Sequence, residues 1–311
     1  MKRREFIALL GGAVAWPLAV RAQQGATPSI GFLSTRSPED SEHLVNAFRR
    51  GLQEGNFVEG RNLTIEFRWA GGNFELLPAM VADLVSRHVS VLTAVGGEPA
   101  ALAAKRATST TPVVFSIGSD PVSAGLVDSF NRPTANLTGI TLQTVLMEPK
   151  RLGLLRDVVP GAALVGVLSH PNFTLAATQL QEIQEAARSI GQRIVVMRAS
   201  TDEELDAAFV ALAKGRASAL LVAGSPYFDT QREHIIRLTK QRRLPAIYQF
   251  REFAIAGGLM SYGISITEGY RQVGIYTAKI LSGAKPTELP VQSVSKFELV
   301  INLRTAKDLG I

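Results

Sequence analysis

Not one of the 311 residues is a cysteine, and only four are histidine. A chain without thiols has no disulfide framework, no thiolate nucleophile and no cysteine-based metal site. Its fold must rest on an apolar core, which nearly three hundred residues are enough to build. The histidines His43, His88, His170 and His234 are scattered, and none falls in an H-E-x-x-H pair. There is no G-x-S-x-G elbow, no phosphate-binding P-loop and no G-x-G-x-x-G turn. Acidic pairs such as Glu203-Glu204 fall on an exposed helix face, where solvation accounts for them. No catalytic set and no bound cofactor is implied. The expectation is that the protein is not an enzyme.

Long apolar runs are also missing, with one exception at the start. Lys2, Arg3 and Arg4 open the chain, an apolar stretch follows from Phe6 to Val20, and Val20-Arg21-Ala22 ends it. A basic opening, a short apolar segment and small residues around a cut site make residues 1–22 a secretory signal peptide. The stretch is too short and glycine-rich for a membrane span. Arg3-Arg4 before Glu5 and Phe6 also has the form of a twin-arginine address, with a general secretory signal as the alternative. The net charge of the whole chain is +6. Residues 1–22 account for +3 of it, so the mature chain carries about +3 with its charges interspersed. No basic block with interleaved aromatics is left, which excludes nucleic acid as a partner. Absence of cysteine removes a lipid-anchored start as well, so the expected compartment is the periplasm, with the protein unanchored, soluble and monomeric.

What the chain does have is a repeated rhythm. Ser29–Ser34, Leu63–Trp69, Ser90–Ala94 and Pro112–Ser116 are short β-branched runs that predict strands. Helical spacing lies between them, as in Leu44, Val45, Phe48 and Leu52, with Gly51 and Gly55 near the helix end. The rhythm restarts with strands at Ala163–Leu168, Arg193–Met197, Ala217–Val222 and Pro245–Ile247. Asn136–Thr141 reads as the link between the two halves. Alternating βα units predict doubly wound sheets of parallel strands, and the length suggests two such domains. One helix, Thr267–Leu281, and one strand, Lys296–Asn302, remain at the end. They are too little for a third domain and fit a chain that crosses back to the first lobe and then returns.

Several ordered segments resemble one family. They include Val58-Glu59-Gly60-Arg61-Asn62, Phe67-Arg68-Trp69-Ala70-Gly71-Gly72, Gly118-Ser119-Asp120-Pro121-Val122 and Asn131-Arg132-Pro133. Further on come Leu244-Pro245-Ala246-Ile247-Tyr248, Phe250-Arg251-Glu252-Phe253, Gly257 to Gly263 and Lys296 to Asn302. Together they resemble the exported substrate-binding proteins of ABC importers related to branched-chain amino acid binders. That resemblance implies an α/β fold of two Rossmann-like lobes with parallel sheets, joined by three hinge strands, the periplasmic binding protein type I architecture. The implied lobes are residues 27–140 plus about 264–285, and 141–263 plus about 286–311. It also implies a small-molecule ligand in the cleft, hinge closure around it, and delivery to an inner-membrane permease with its ATPase.

In open α/β sheets ligands bind beyond the carboxyl ends of the strands, a rule that selects loops without reference to any family. In the first lobe these are Ser34-Thr35-Arg36, Gly96-Gly97-Glu98-Pro99 and Ser116 to Pro121, which contains Gly118 and Asp120. In the second they are Ser169-His170-Pro171-Asn172-Phe173, Gly224-Ser225-Pro226-Tyr227 and Tyr248-Gln249-Phe250. Gly96 and Gly97 let backbone N–H groups approach a ligand, and the helix that follows favours a carboxylate. Ser34, Thr35 and Ser116 supply hydroxyls for the same group, and Asp120 an acceptor for an ammonium. Phe173, Tyr227 and Tyr248 offer an aromatic wall, with Ser225, His170 and Asn172 beside it. An amino acid or related carboxylate suits this set. Plainer roles stand beside these: turn chemistry for Gly96-Gly97, helix capping for Asp120, dipole complementation for Glu98, core for Tyr248 and an ordinary loop for His170. Two other classes share such a fold: the sensing domain of a receptor, and an exported α/β enzyme acting through Asp120 or Glu98.

Overall fold

The computed structural model describes residues 27–133, 135–173 and 175–311. The expected signal peptide at 1–22 lies outside the described residues. The first half contains β1 (Ser29–Ser34), α1 (Glu42–Glu54), β2 (Thr64–Trp69), α2 (Leu77–Ser86), β3 (Val91–Val95), α3 (Glu98–Ala107), β4 (Val113–Ile117) and β5 (Leu137–Thr141). The second contains α4 (Glu148–Val158), β6 (Val165–Ser169), α5 (Ala176–Ser189), β7 (Ile194–Arg198), α6 (Asp202–Lys214), β8 (Ala219–Val222), α7 (Pro226–Thr230), α8 (Arg232–Gln241), β9 (Ala246–Tyr248), α9 (Arg251–Ile255) and β10 (Met260–Ile264). The chain ends with α10 (Ile266–Leu281), β11 (Gln292–Ser293), β12 (Phe297–Ile301) and α11 (Leu303–Leu309).

Two six-stranded sheets result, in the orders β11-β5-β4-β3-β1-β2 and β12-β10-β9-β8-β6-β7. Every pairing is parallel except β10 with β12. Central strands β3, β4 and β5 are buried along their whole length. Helices cover both faces of such strands, so β3 and β4 read as near-continuous apolar runs. Asn136–Thr141 is therefore not a link. Its Leu137–Thr141 portion is a buried strand of the first sheet, and the chain leaves that sheet only afterwards. Gly139 is required there, because a Cβ would stand 2.3 Å from the carbonyl oxygen of Phe115.

The C-terminal segment passes between the sheets twice. After β10 in the second sheet, α10 lies along α1 of the first half. Gly51 and Gly274 make this crossing: a Cβ on Gly51 would come within 2.0 Å of Arg271 O, and one on Gly274 within 2.2 Å of Phe48 O. Gly51 thus sits inside α1 at a helix contact, while Gly55 caps its end. Gln292 and Ser293 still pair with Ile140 and Thr141 of the first sheet, beyond residue 286, where the sequence reading placed the return. The chain then enters β12 of the second sheet. Among the described residues no helix is long and apolar enough to cross a membrane.

Candidate functional site

The carboxyl ends of the central strands in both sheets face one cleft. A cavity lies there, lined from the first sheet's side by Arg36, Gly96, Gly97, Glu98, Ser116 and Gly118. Phe173, Gly224, Ser225, Pro226, Asp229, Gln249 and Phe250 line it from the second, and Leu142, Thr144, Ile266 and Tyr270 from the crossings and α10.

Its charged end has a built geometry. Arg36 follows β1 in a turn where the hydroxyl of Ser34 accepts its backbone N–H at 3.1 Å. Asp229 lies in α7, whose N-cap Ser225 accepts the backbone N–H of Phe228 at 3.2 Å. The guanidinium Nη2 of Arg36 lies 3.4 Å from Asp229 Oδ2, and Nε has no hydrogen-bond partner among the described residues. Gln249 donates its amide to Asp229 Oδ1. Burial pushes the Asp229 carboxyl up to about 6, although Arg36 and Gln249 pull the other way. Burial works against the charge on Arg36, yet Asp229, Tyr270, Asp40 and Glu252 hold its pKa above the ordinary value. Tyr270, on α10, closes this end, and burial raises its hydroxyl pKa to about 12.

The wall formed by Gly96 and Gly97 is less anionophilic than its glycines suggest. Gly96 and Gly97 have φ of +90° and +115°, and a Cβ on Gly97 would stand 2.5 Å from Pro226 Cγ across the cleft. Glu98, the first residue of α3, is buried, and its carboxyl accepts from the Ser119 hydroxyl. Burial raises its pKa, partly countered by that hydroxyl and by the backbone N–H groups of Glu98, Ser119 and Gly118. The helix N-terminus is thus already supplied with a carboxyl group from its own chain, which leaves little for a ligand anion.

Other residues singled out in the sequence divide into three groups. Ser116, Gly118, Phe173 and Ser225 line the cavity with Gly96, Gly97 and Glu98. His170, Asn172 and Tyr227 line an outer chamber of the same cleft, with Phe74, Pro99 and Leu102 opposite. His170 stacks on Tyr227 with ring centres 5.1 Å apart, and burial lowers its pKa against a weaker pull from Glu204. Tyr227 donates its hydroxyl to Asp202 at 3.1 Å. The third group does not line the cavity. Asp120 is exposed and its carboxylate accepts the backbone N–H groups of Val122 and Ser123, at 2.8 and 2.7 Å. It closes a turn and is not an ammonium acceptor facing the cleft. The Thr35 hydroxyl donates to Gly96 O at 2.8 Å, and that of Ser34 is turned to the backbone of Arg36, so both shape loops. Tyr248 is core, stacked on Phe253 at 4.7 Å with its hydroxyl 3.2 Å from Thr239 Oγ1.

Arg36, Asp229, Gln249 and Tyr270 were not among the residues singled out. Arg36 and Gln249 stand in loops that the strand-end rule selects, so that rule could have found them. Asp229 and Tyr270 carry no local signal, because α7 and the crossing helix α10 bring them in. Among the described residues no group of three or more His, Cys, Asp or Glu is placed to hold a metal ion.

The comparisons with known proteins agree with this architecture. A family model described as "ABC transporter substrate binding protein" matches residues 37–311. A tyrosine-binding protein of Clostridioides difficile (strain R20291) is 24% identical over 264 residues, covering 85% of this chain and 75% of its own. Among solved structures, a conserved domain protein of Vibrio cholerae superposes with a TM-score of 0.83 at 24% identity, covering 92% of this chain and 95% of that one. An ABC domain of Streptococcus pneumoniae in complex with L-Trp gives 0.79 at 23% identity, over 91% and 95%. The fold is thus that of type I periplasmic binding proteins.

Proposed function

The chain belongs to the ABC transporter substrate binding protein family, and from that premise we propose that it captures an amino acid between its lobes and hands it to a membrane permease driven by an ATPase. One observation carries the choice of ligand. Opposite charges from opposite sides of the cleft, Arg36 and Asp229, meet at one end of the cavity, buried and 3.4 Å apart. A zwitterion that enters there gives its carboxylate to the guanidinium, whose Nε is unpartnered, and its ammonium to Asp229. Phe173, Phe250, Leu142 and Ile266 face the rest of the cavity and suit an apolar side chain. The names of two relatives, one tyrosine-binding and one bound to L-Trp, support the same class.

The reading assigns the ligand contacts to Arg36, Gly96, Gly97, Ser116, Gly118, Phe173, Ser225, Asp229 and Gln249. The first lobe is the first sheet with α10 and β11. The second runs from α4 to β10 and resumes at β12. The protein acts as an unanchored periplasmic monomer, exported by its twin-arginine signal, and returns its ligand unchanged without a cofactor.

A panel of amino acids and small carboxylates, followed by calorimetry and thermal melting of the mature protein, tests this. A true ligand at a hundredfold excess over Kd stabilises the fold by about 2.7 kcal/mol. Arg36→Ala is expected to cut affinity at least tenfold, about 1.4 kcal/mol, because it strands the ligand carboxylate. A panel in which no amino acid shifts the melting temperature would sink the proposal, and chemical turnover of a bound member would replace it with an enzymatic one.

A further inference from the structure

The core-facing stripe of α4 carries two charges. Glu148 and Arg151 share it with Leu152 and Leu155, and all four are fully buried. A stripe at this spacing is normally apolar. Arg151 Nη1 lies 2.8 Å from Glu148 Oε1. The rest of the guanidinium reaches two backbone carbonyls: Nε donates to Tyr262 O at 2.7 Å and Nη2 to Thr144 O at 3.1 Å. Thr144 stands in the first passage between the lobes, and Tyr262 lies in β10 just ahead of the second.

The carboxylate side of the pair holds a residue of the cavity wall. Glu148 Oε1 accepts the backbone N–H of Gly224 at 2.8 Å and the amide of Gln179 at 2.9 Å. Gln179 donates to Gly224 O as well, at 2.9 Å, so both backbone groups of that residue are held. Gly224 lines the cavity from the second lobe. The Thr144 hydroxyl donates to Gly118 O at 3.2 Å, and Gly118 lines it from the first. The fit leaves no slack: a Cβ on Gly224 would stand 2.2 Å from Gln249 Oε1, and one on Gly263 2.1 Å from Gln249 O.

We infer that Glu148 and Arg151 are positioning residues, which tie the ligand-facing Gly224 loop to both hinge passages so that cavity floor and hinge move as one body. A buried ion pair is a poor source of stability, since apolar residues of similar volume commonly serve as well or better. Its hydrogen bonds instead link three segments remote in sequence, around residues 144, 224 and 262. The inference rests on the cleft being a closing site and is independent of which ligand it takes.

The chain's lack of cysteine makes the test direct. Cysteines introduced at exposed Glu75 and Glu203, on opposite sides of the outer cleft, carry spin labels for the distance distribution between lobes. Three backgrounds are measured without added ligand. Glu148→Leu with Arg151→Met replaces the pair by apolar volume. Arg151→Lys keeps the charge and gives up the planar fork that reaches two carbonyls. Gln179→Leu leaves the pair and loosens Gly224 alone. In each variant that keeps the wild-type melting temperature within a few degrees, the distance distribution is expected to broaden. The Gly224 amide should exchange roughly 2- to 30-fold faster, the range of mutations in coupling networks. Unchanged distributions and exchange in Arg151→Lys and Gln179→Leu overturn the inference, whatever the double variant does. An amino-acid panel that fails on the wild-type protein overturns the ligand proposal and leaves this result standing.

Discussion

In the proposed site, the buried carboxyl of Asp229 serves binding at the expense of stability. Its pKa in the folded protein is raised from 3.8 to about 6, with burial the largest cause. A raised value means that the folded state holds the proton more tightly than the unfolded state. The stability from neutral Asp229 is then fully present below its ordinary value and is lost as pH rises through about 6. A ligand ammonium reverses the preference, because it needs the ionised form. Affinity for an amino acid should therefore fall as pH drops below about 6, approaching tenfold per unit. Asp229→Asn should flatten that profile and weaken binding at pH 7.5, while the ligand-free variant melts no lower than wild type at that pH. Calorimetry from pH 4.5 to 8 with parallel melting curves checks both. A wild-type affinity that is flat across that range would remove Asp229 from the ammonium site. None of this was legible locally. Asp120 lies in a loop that the strand-end rule selects, but two backbone N–H groups claim it, whereas Asp229 acquires its partners from Arg36 and Gln249, both outside its own helix.

The α1–α10 crossing shows the same limit between elements. Strands β1, β3 and β4 were legible because both faces are covered, which writes their burial into the sequence as short apolar runs. β5 was not, because Asn136 and Gly139 have the composition of a linker. Gly139 is there for the closeness of Phe115, a tertiary demand. Gly51 and Gly274 answer a demand of that kind, since each lets one helix backbone approach the other. Replacing either by Ala inserts a methyl group where Arg271 O or Phe48 O already stands, and overpacking of this sort costs about 1–3 kcal/mol. Chemical denaturation should show that loss for Gly51→Ala and for Gly274→Ala. Gly283→Ala provides the contrast, since no atom lies within 4 Å of its added Cβ and only its φ of +104° resists the change. No loss at Gly51 and Gly274 would mean that the helix contact does not explain these two glycines, neither of which has a positive φ.

The proposed closure belongs to the whole molecule, and two glycines of the first lobe stand where the second lobe meets it. A Cβ on Gly72 would approach Thr230 Oγ1 to 3.1 Å, and one on Gly97 would come within 2.5 Å of Pro226 Cγ. Two polar contacts join the lobes on the same side, the Arg36–Asp229 ion pair and His43 Nε2 against the Glu252 carboxylate, each at 3.4 Å. The sequence alone could suggest that Gly97 serves a ligand, because the partner that crowds it comes from the opposite lobe. Gly97→Ala should thus act mainly on the closed state. The clash of about 1–3 kcal/mol is met only when the lobes meet, so affinity should fall by about fivefold to more than a hundredfold. Backbone strain at φ +115° is a second cost, but both open and closed forms bear it. Pro226→Ala removes the ring carbon that Gly97→Ala would strike and so separates the two. Combined with Gly97→Ala, it should recover part of the lost affinity and of the ligand-induced compaction seen by small-angle scattering. If the double variant binds no better than Gly97→Ala alone, the two residues do not meet in the liganded protein, and the lobes close along a different path.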